Sequence, residues 1–165
     1  PFANFVIGTQ RMEAANFNEA RRYFGQAYDA LGQASGLELL NNYAETLARS
    51  DDPADRDKAI RIAEDASLRL APANYVLRAT YALTLARAGK LEEAREALQQ
   101  ARDIAEKLHL TVDPRIAFVD AWIALGEGKK DEARRIADTL RVSLGPSLTP
   151  RDRADLEALR TASAK

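Results

Sequence analysis

The sequence predicts an all-α fold: a solenoid of about four antiparallel helix pairs closed by a C-terminal capping helix. Three observations predict it. An alanine-centred segment recurs four times along the 165 residues. Turn-forming residues stand between the repeats and at their midpoints. Aromatic residues make up only 7% of the chain while alanine recurs throughout, which suits helices packed backbone-close better than a strand-rich sandwich.

The recurring segments are FNEARRYFGQA from Phe17, RDKAIRIAEDA from Arg56, KLEEAREALQQA from Lys90 and KKDEARRIADTL from Lys129. Their alanines, Ala20, Ala59, Ala94 and Ala133, stand 39, 35 and 39 residues apart. Each opens a triad at i, i+4 and i+7, completed by Phe24 and Ala27, Ala63 and Ala66, Leu98 and Ala101, then Ala137 and Leu140. That spacing places all three side chains on one helical face. A second helical pattern precedes each segment, with Ile7 and Gly8, then Tyr43, Ala44 and Leu47, then Tyr81, Ala82 and Leu85, then Ala121 and Ala124. Small residues at Gly8, Ala44, Ala82 and Ala121 let a neighbouring helix approach the backbone.

The punctuation sets the units at approximately 1–34, 37–71, 73–108 and 114–144. Ser35-Gly36 divides the first from the second, and Ser50-Asp51-Asp52-Pro53 makes a long turn inside the second. Ala71-Pro72 ends that unit, because proline cannot continue the preceding hydrogen-bond ladder. Gly89-Lys90 parts the helices of the third. Asp113 and Pro114 open the fourth as N-cap and first helical residue, and Gly126-Glu127-Gly128 turns it. After Gly145-Pro146, a capping helix is predicted over 150–163, with Thr149 as its cap, Leu156 and Leu159 facing inward, and its charged residues in water. A solenoid needs such a helix to cover its last apolar face.

Composition narrows the function classes. Lysine and arginine total 24 against 25 aspartates and glutamates, a formal net charge of -1, so no basic field draws in nucleic acid. There are no cysteines, which removes disulfides, thiolate nucleophiles and cysteine metal sites. No stretch approaches eighteen apolar residues, so direct membrane insertion is not expected. These features suit the cytoplasm and a bacterial periplasm alike. The chain opens at Pro1 without an initiator methionine or an export segment, and is expected to be a processed protein or a piece of a longer one.

Two stretches carry a specific resemblance. LRATYALTLARAGKLEEAREALQQA from Leu77 and ELLNNYAETLARSDDPADRDKAIRIAEDASLRLAP from Glu38 resemble the tetratricopeptide repeat (TPR) family, the second in its bacterial form with an asparagine-rich helix and an extended turn. The resemblance covers about residues 1–144, and the last helix matches the family's usual cap. It implies a right-handed superhelical solenoid whose first helices line a concave surface. Departures are Ala14-Ala15-Asn16 at the first internal turn, where glycine is usual, and Arg78, where a large aromatic is common.

Matched to the family pattern, the inner wall comprises Phe2, Phe5, Thr9 and Met12 in unit one. Unit two contributes Glu38, Asn41, Asn42, Glu45 and Arg49, unit three Val76, Ala79, Leu83 and Arg87, and unit four Arg115, Phe118 and Trp122. Asn41 and Asn42 each offer a donor and an acceptor to an extended main chain, and Arg49 a fork for a carboxylate. The same residues also read as ordinary solvated helix positions. Phe118 and Trp122, four apart on one helix, make an aromatic patch that serves either as an anchor for a partner side chain or as core. Glu38 and Glu45 beside Arg49 make the wall mixed in sign, which fits a segment with polar and apolar side chains better than a purely acidic tail. The expected function is a protein-interaction scaffold or adaptor holding a protein or extended peptide, with Asn41, Asn42, Glu45, Arg49, Arg87, Arg115, Phe118 and Trp122 as its contact residues. The alternative is a structural or self-association module, a homo-oligomer joined through outer face or chain ends.

Catalysis is not expected. His109 is the only histidine, and no calcium-loop pattern appears, so neither metal nor other cofactor is implied. GEGKK from Gly126 is too short for a phosphate loop and falls in a turn between helices. Acidic pairs such as Glu92-Glu93 and Asp131-Glu132 lie at helix starts, where they oppose the positive helix end. No serine has a nucleophile elbow or paired base.

Overall fold

The computed structural model describes residues 1–164, which contain nine α-helices and no strand. They are α1 Phe2–Glu13, α2 Phe17–Leu31, α3 Leu37–Ala48, α4 Pro53–Glu64, α5 Tyr75–Arg87, α6 Leu91–Lys107, α7 Ala117–Gly126, α8 Lys130–Leu144 and α9 Pro150–Ala164. Consecutive helices pair as α1/α2, α3/α4, α5/α6 and α7/α8, and α9 trails as the predicted cap. The architecture is a TPR-like solenoid.

The periodic alanines hold it together. Ala20, Ala59, Ala94 and Ala133 are all fully buried. Gly8 serves the same end from the other side of its pair, since a Cβ there would sit 2.7 Å from the Phe24 ring. The apolar core is continuous along the array. Tyr81 packs against both the cluster of the first two units and that of the third, and Trp122 against both the third and the fourth.

Three internal turns share one geometry. Gly89 and Gly128 adopt φ of 80° and 79°, and Ala15 takes the equivalent place at φ 61°. The next amide reaches back to a helix carbonyl in each case: Asn16 to Arg11 at 2.8 Å, Lys90 to Leu85 at 2.9 Å and Lys129 to Ala124 at 2.9 Å. The missing glycine of the first unit thus leaves the turn intact, with an alanine in a conformation that L-residues occupy at a cost. Asn16 then caps α2 through Glu19 N.

Arg78, the other departure, is buried. Its guanidinium donates to Gln100 Oε1 at 2.5 Å and to the Ser67 carbonyl at 3.2 Å. The second bond enters the helical ladder of unit two, where α4 widens into a π-helical run over Asp65–Leu70. A side chain inserted into the ladder is a recognised cause of such a departure.

The array closes on itself. The first helices α1, α3, α5 and α7 pack side by side, and α9 touches both α7 and α1, so five inner helices form a ring. The predicted Thr149 cap is reciprocal: Thr149 Oγ1 accepts from Asp152 N at 3.1 Å, and Asp152 Oδ2 accepts from Thr149 N at 2.9 Å. Leu159 and Leu156 pack inward onto α7 and α8. One expectation is corrected here. The charged residues of α9 do not all face water, because closure of the ring turns Arg151, Asp152 and Asp155 onto the inner helices.

Candidate functional site

The ring encloses a cavity of about 290 Å³. Its walls come from α3, α5, α7, the turn before α7 and the first turns of α9. Asn41, Asn42, Glu45, Arg49, Arg87, Arg115, Phe118 and Trp122 all line it. Val76, Ala79 and Leu83 supply its apolar floor. Unit one contributes nothing to this cavity. Met12 is buried beneath Arg151, Phe5 packs on Phe24 with ring centroids 6.3 Å apart, and Phe2 points away. Glu38 is exposed, away from the cavity.

The polar groups are already engaged with one another. Arg49, at the C-terminal end of α3, forks onto Asp155 through Nε–Oδ1 at 2.9 Å and Nη2–Oδ2 at 2.6 Å, while its Nη1 donates to the Glu45 carbonyl at 2.7 Å. Burial opposes the Arg49 charge, yet Asp155 more than offsets that and holds its pKa above the ordinary arginine value. Arg115 forks in the same way onto Asp152, at 2.9 and 2.8 Å. This bond is the main cause that raises the Arg115 pKa. Asp152 is 1% exposed. Burial pushes its carboxyl up, but Arg115 and the two bonds from Thr149 bring it below the usual value. Arg151 reaches Glu45 at 3.5 Å and Glu13 of α1 at 3.3 Å, joining the ends of the ring.

Asn41 Oδ1 accepts from Thr80 Oγ1 at 2.7 Å, and its Nδ2 lies 3.4 Å from Asn42 Oδ1, so the asparagine pair bridges α3 and α5. Asn42 is buried, as is Phe118, which sits in the apolar cluster of α7, α8 and α9. Trp122 is half-buried with the Arg87 guanidinium stacked on it, 3.9 Å from the ring centroid.

Arg87 differs from the other cavity arginines. Its Nε donates to the Ala48 carbonyl at 3.1 Å, and no carboxylate pairs with it among the described residues. Burial, then the cations of Arg49 and Arg56, pull its pKa down to about 10. It stays charged at neutral pH, in a place that resists the charge.

Sequence reasoning missed Tyr75, Thr80, Asp113, Arg151, Asp152 and Asp155, all of which line the cavity. The four on α9 and the turn before α7 belong to segments that read as capping and connecting structure. A signal was present in α9, since Asp152, Asp155, Leu156, Leu159 and Ser163 follow helical spacing and the two aspartates extend the face of the leucines.

Among the described residues no group of three or more histidine, cysteine, aspartate or glutamate side chains is placed to hold a metal. Nor is any helix of those residues long and apolar enough to cross a membrane.

Comparison with protein-family models gives no match, and comparison with curated proteins gives no significant match. Among solved structures, the chain is similar to the one described as MamA MSR-1 C2, with a TM-score of 0.56 and 17% identity over 98% of this chain and 93% of that one. MamA is a bacterial helical protein of TPR-like type. The likeness spans the whole array, the trailing helix included, and is a likeness of fold.

Proposed function

We propose that the protein is an interaction scaffold or adaptor that holds a segment of a protein partner in the interior of its helical ring. The observation that carries this reading is the convergence of the eight candidate residues on one cavity, with an apolar floor of Val76, Ala79 and Leu83 beneath a polar rim. Ligand pockets have this composition: apolar surface supplies affinity and a few fixed polar groups supply orientation. The helices around the cavity are tied to each other by arginine–aspartate forks, so the rim is rigid before a ligand arrives.

Selection from a random peptide display library tests the reading. Val76 is 45% exposed and lines the cavity, so Val76→Gln alters the floor without disturbing the core. Peptides selected on the native protein should lose binding to the folded variant by tenfold or more. Peptides that bind both equally would move the site away from the ring interior.

A second reading is favoured by α1. Phe2 is 77% exposed and Val6 36%, and their spacing puts both on one face of that helix. An apolar face at one end of an array is what self-association through chain ends requires.

A further inference from the structure

We infer that Arg87, stacked on Trp122, is the anion-binding point of the ring, and that the segment bound there presents a carboxylate beside an apolar side chain. The inference rests on the proposed use of the ring interior and specifies what chemistry enters it.

The geometry sets Arg87 apart. Four arginines line the cavity, and three have acidic partners: Arg49 with Asp155, Arg115 with Asp152, and Arg151 with Glu45. Arg87 alone uses one donor, Nε, on a main-chain carbonyl. Both terminal nitrogens are left without a hydrogen-bond partner among the described residues. The Arg87 Cζ lies 3.9 Å from the Trp122 ring centroid, so the indole restrains the guanidinium from one side. A planar, immobilised fork is suited to a carboxylate through two parallel bonds. The depressed Arg87 pKa, caused first by burial and then by the Arg49 and Arg56 cations, agrees with this, because an incoming anion would compensate a charge that the site disfavours.

Access does not require α9 to leave. On the flank of α9 away from the cavity floor lies a cleft of about 820 Å³, and Arg87, Arg49 and Trp122 line both spaces. The α9 wall of that cleft sets Ala154, Ala158 and Ala162 beside Glu157 and Thr161, and Leu125 of α7 lines it as well. The apolar surfaces beside the fork are the indole, Leu125 and the cavity floor of Val76, Ala79 and Leu83, and they suit an apolar residue next to the carboxylate. The charge should be single. Arg49, Arg115 and Arg151 are balanced by Asp155, Asp152 and Glu45, which leaves Arg87 as the one cavity arginine that a single negative charge would balance.

The chain contains one tryptophan, so selectively excited tryptophan emission reports on Trp122. Three probes suffice: acetyl-Leu-Asp-Leu-amide, acetyl-Leu-Asn-Leu-amide, and acetyl-Leu-Asn-Leu with a free terminal carboxylate. A probe with a carboxylate should shift Trp122 emission and bind about tenfold more tightly than the neutral amide, as a charge-assisted bond predicts. The first and third probes separate a side-chain source from a chain-end source. Arg87→Met should abolish the preference and Arg87→Lys should keep part of it. The comparison of probes on the native protein stands even where a variant folds poorly. Equal binding of all three probes, unchanged in Arg87→Met but weakened in Val76→Gln, would overturn the anion point and leave the ring interior as a peptide site. An absence of any response at millimolar carboxylate probe would also overturn it, while leaving the display selection to judge the wider reading.

Discussion

The Arg49 guanidinium and the Asp155 carboxylate, 106 residues apart in the chain, face each other through two hydrogen bonds of 2.9 and 2.6 Å. Both side chains are largely buried, with 13% and 14% of their surface exposed. The pair joins unit two to the last helix; without Asp155 the buried Arg49 charge would keep only the longer contact to Glu45 at 3.7 Å, and without Arg49 the Asp155 carboxylate would lose its charge partner.

Asp155→Ala should therefore lower stability by about 3 kcal/mol, since removing one member of a buried pair strands the other. Equilibrium denaturation in urea checks this. Glu157→Ala is the matched control two residues away. Its pairing with Arg160 is solvent-exposed, and the unfolding midpoint should not move.

Ala15→Gly should stabilise the protein by about 0.5–1 kcal/mol, because glycine takes a left-handed φ without the steric cost an alanine meets. The converse change, Gly89→Ala, forces alanine into φ 80° and should destabilise by a similar amount. Thermal unfolding of the two single variants beside the native chain decides both.

Acid should loosen α9. The Asp152 carboxyl titrates below the ordinary aspartate value in the folded protein: burial pushes it up, but Arg115 and Thr149 more than offset that. A group with a depressed folded pKa binds fewer protons folded than unfolded, so its contribution is complete above the ordinary aspartate value and fades as the pH falls through the lowered one. Asp152→Asn should lower stability at neutral pH and flatten the acid limb of the stability curve. Urea midpoints measured from pH 7 down to pH 2 read out both effects.

Should the exposed α1 face mediate self-association, sedimentation of the native protein will depend on concentration. Replacing Phe2 and Val6 by serine should then restore a single monomeric species with unchanged helix content. Concentration-independent sedimentation of the native chain would remove the self-association reading.

The helices were legible because their signals are local. The alanine triad opened by Ala94 and completed by Leu98 and Ala101 is a property of twelve consecutive residues, KLEEAREALQQA, and burial follows from the pattern directly. Asp113 and Thr149 were legible as caps for the same reason. The surroundings of the candidate site were not. Arg49 read as an open fork because its partner lies at the far end of the chain, and only ring closure brings Asp155 to it. Asp152 is the instructive case. A charge at a helix start normally stays in water, so the spacing that aligns it with Leu156 and Leu159 was outweighed by its polarity.

A linear stack of repeats frays from its ends, each terminal unit melting with little effect on distant ones. Arg151 changes that topology here, since it ties the last helix to Glu13 in the first. Opening α9 withdraws that contact from α1 in the same event, which couples the two ends. The chain should melt as one cooperative body, with amide exchange slowed at both extremities together, where an open array would show a gradient from its protected middle outward.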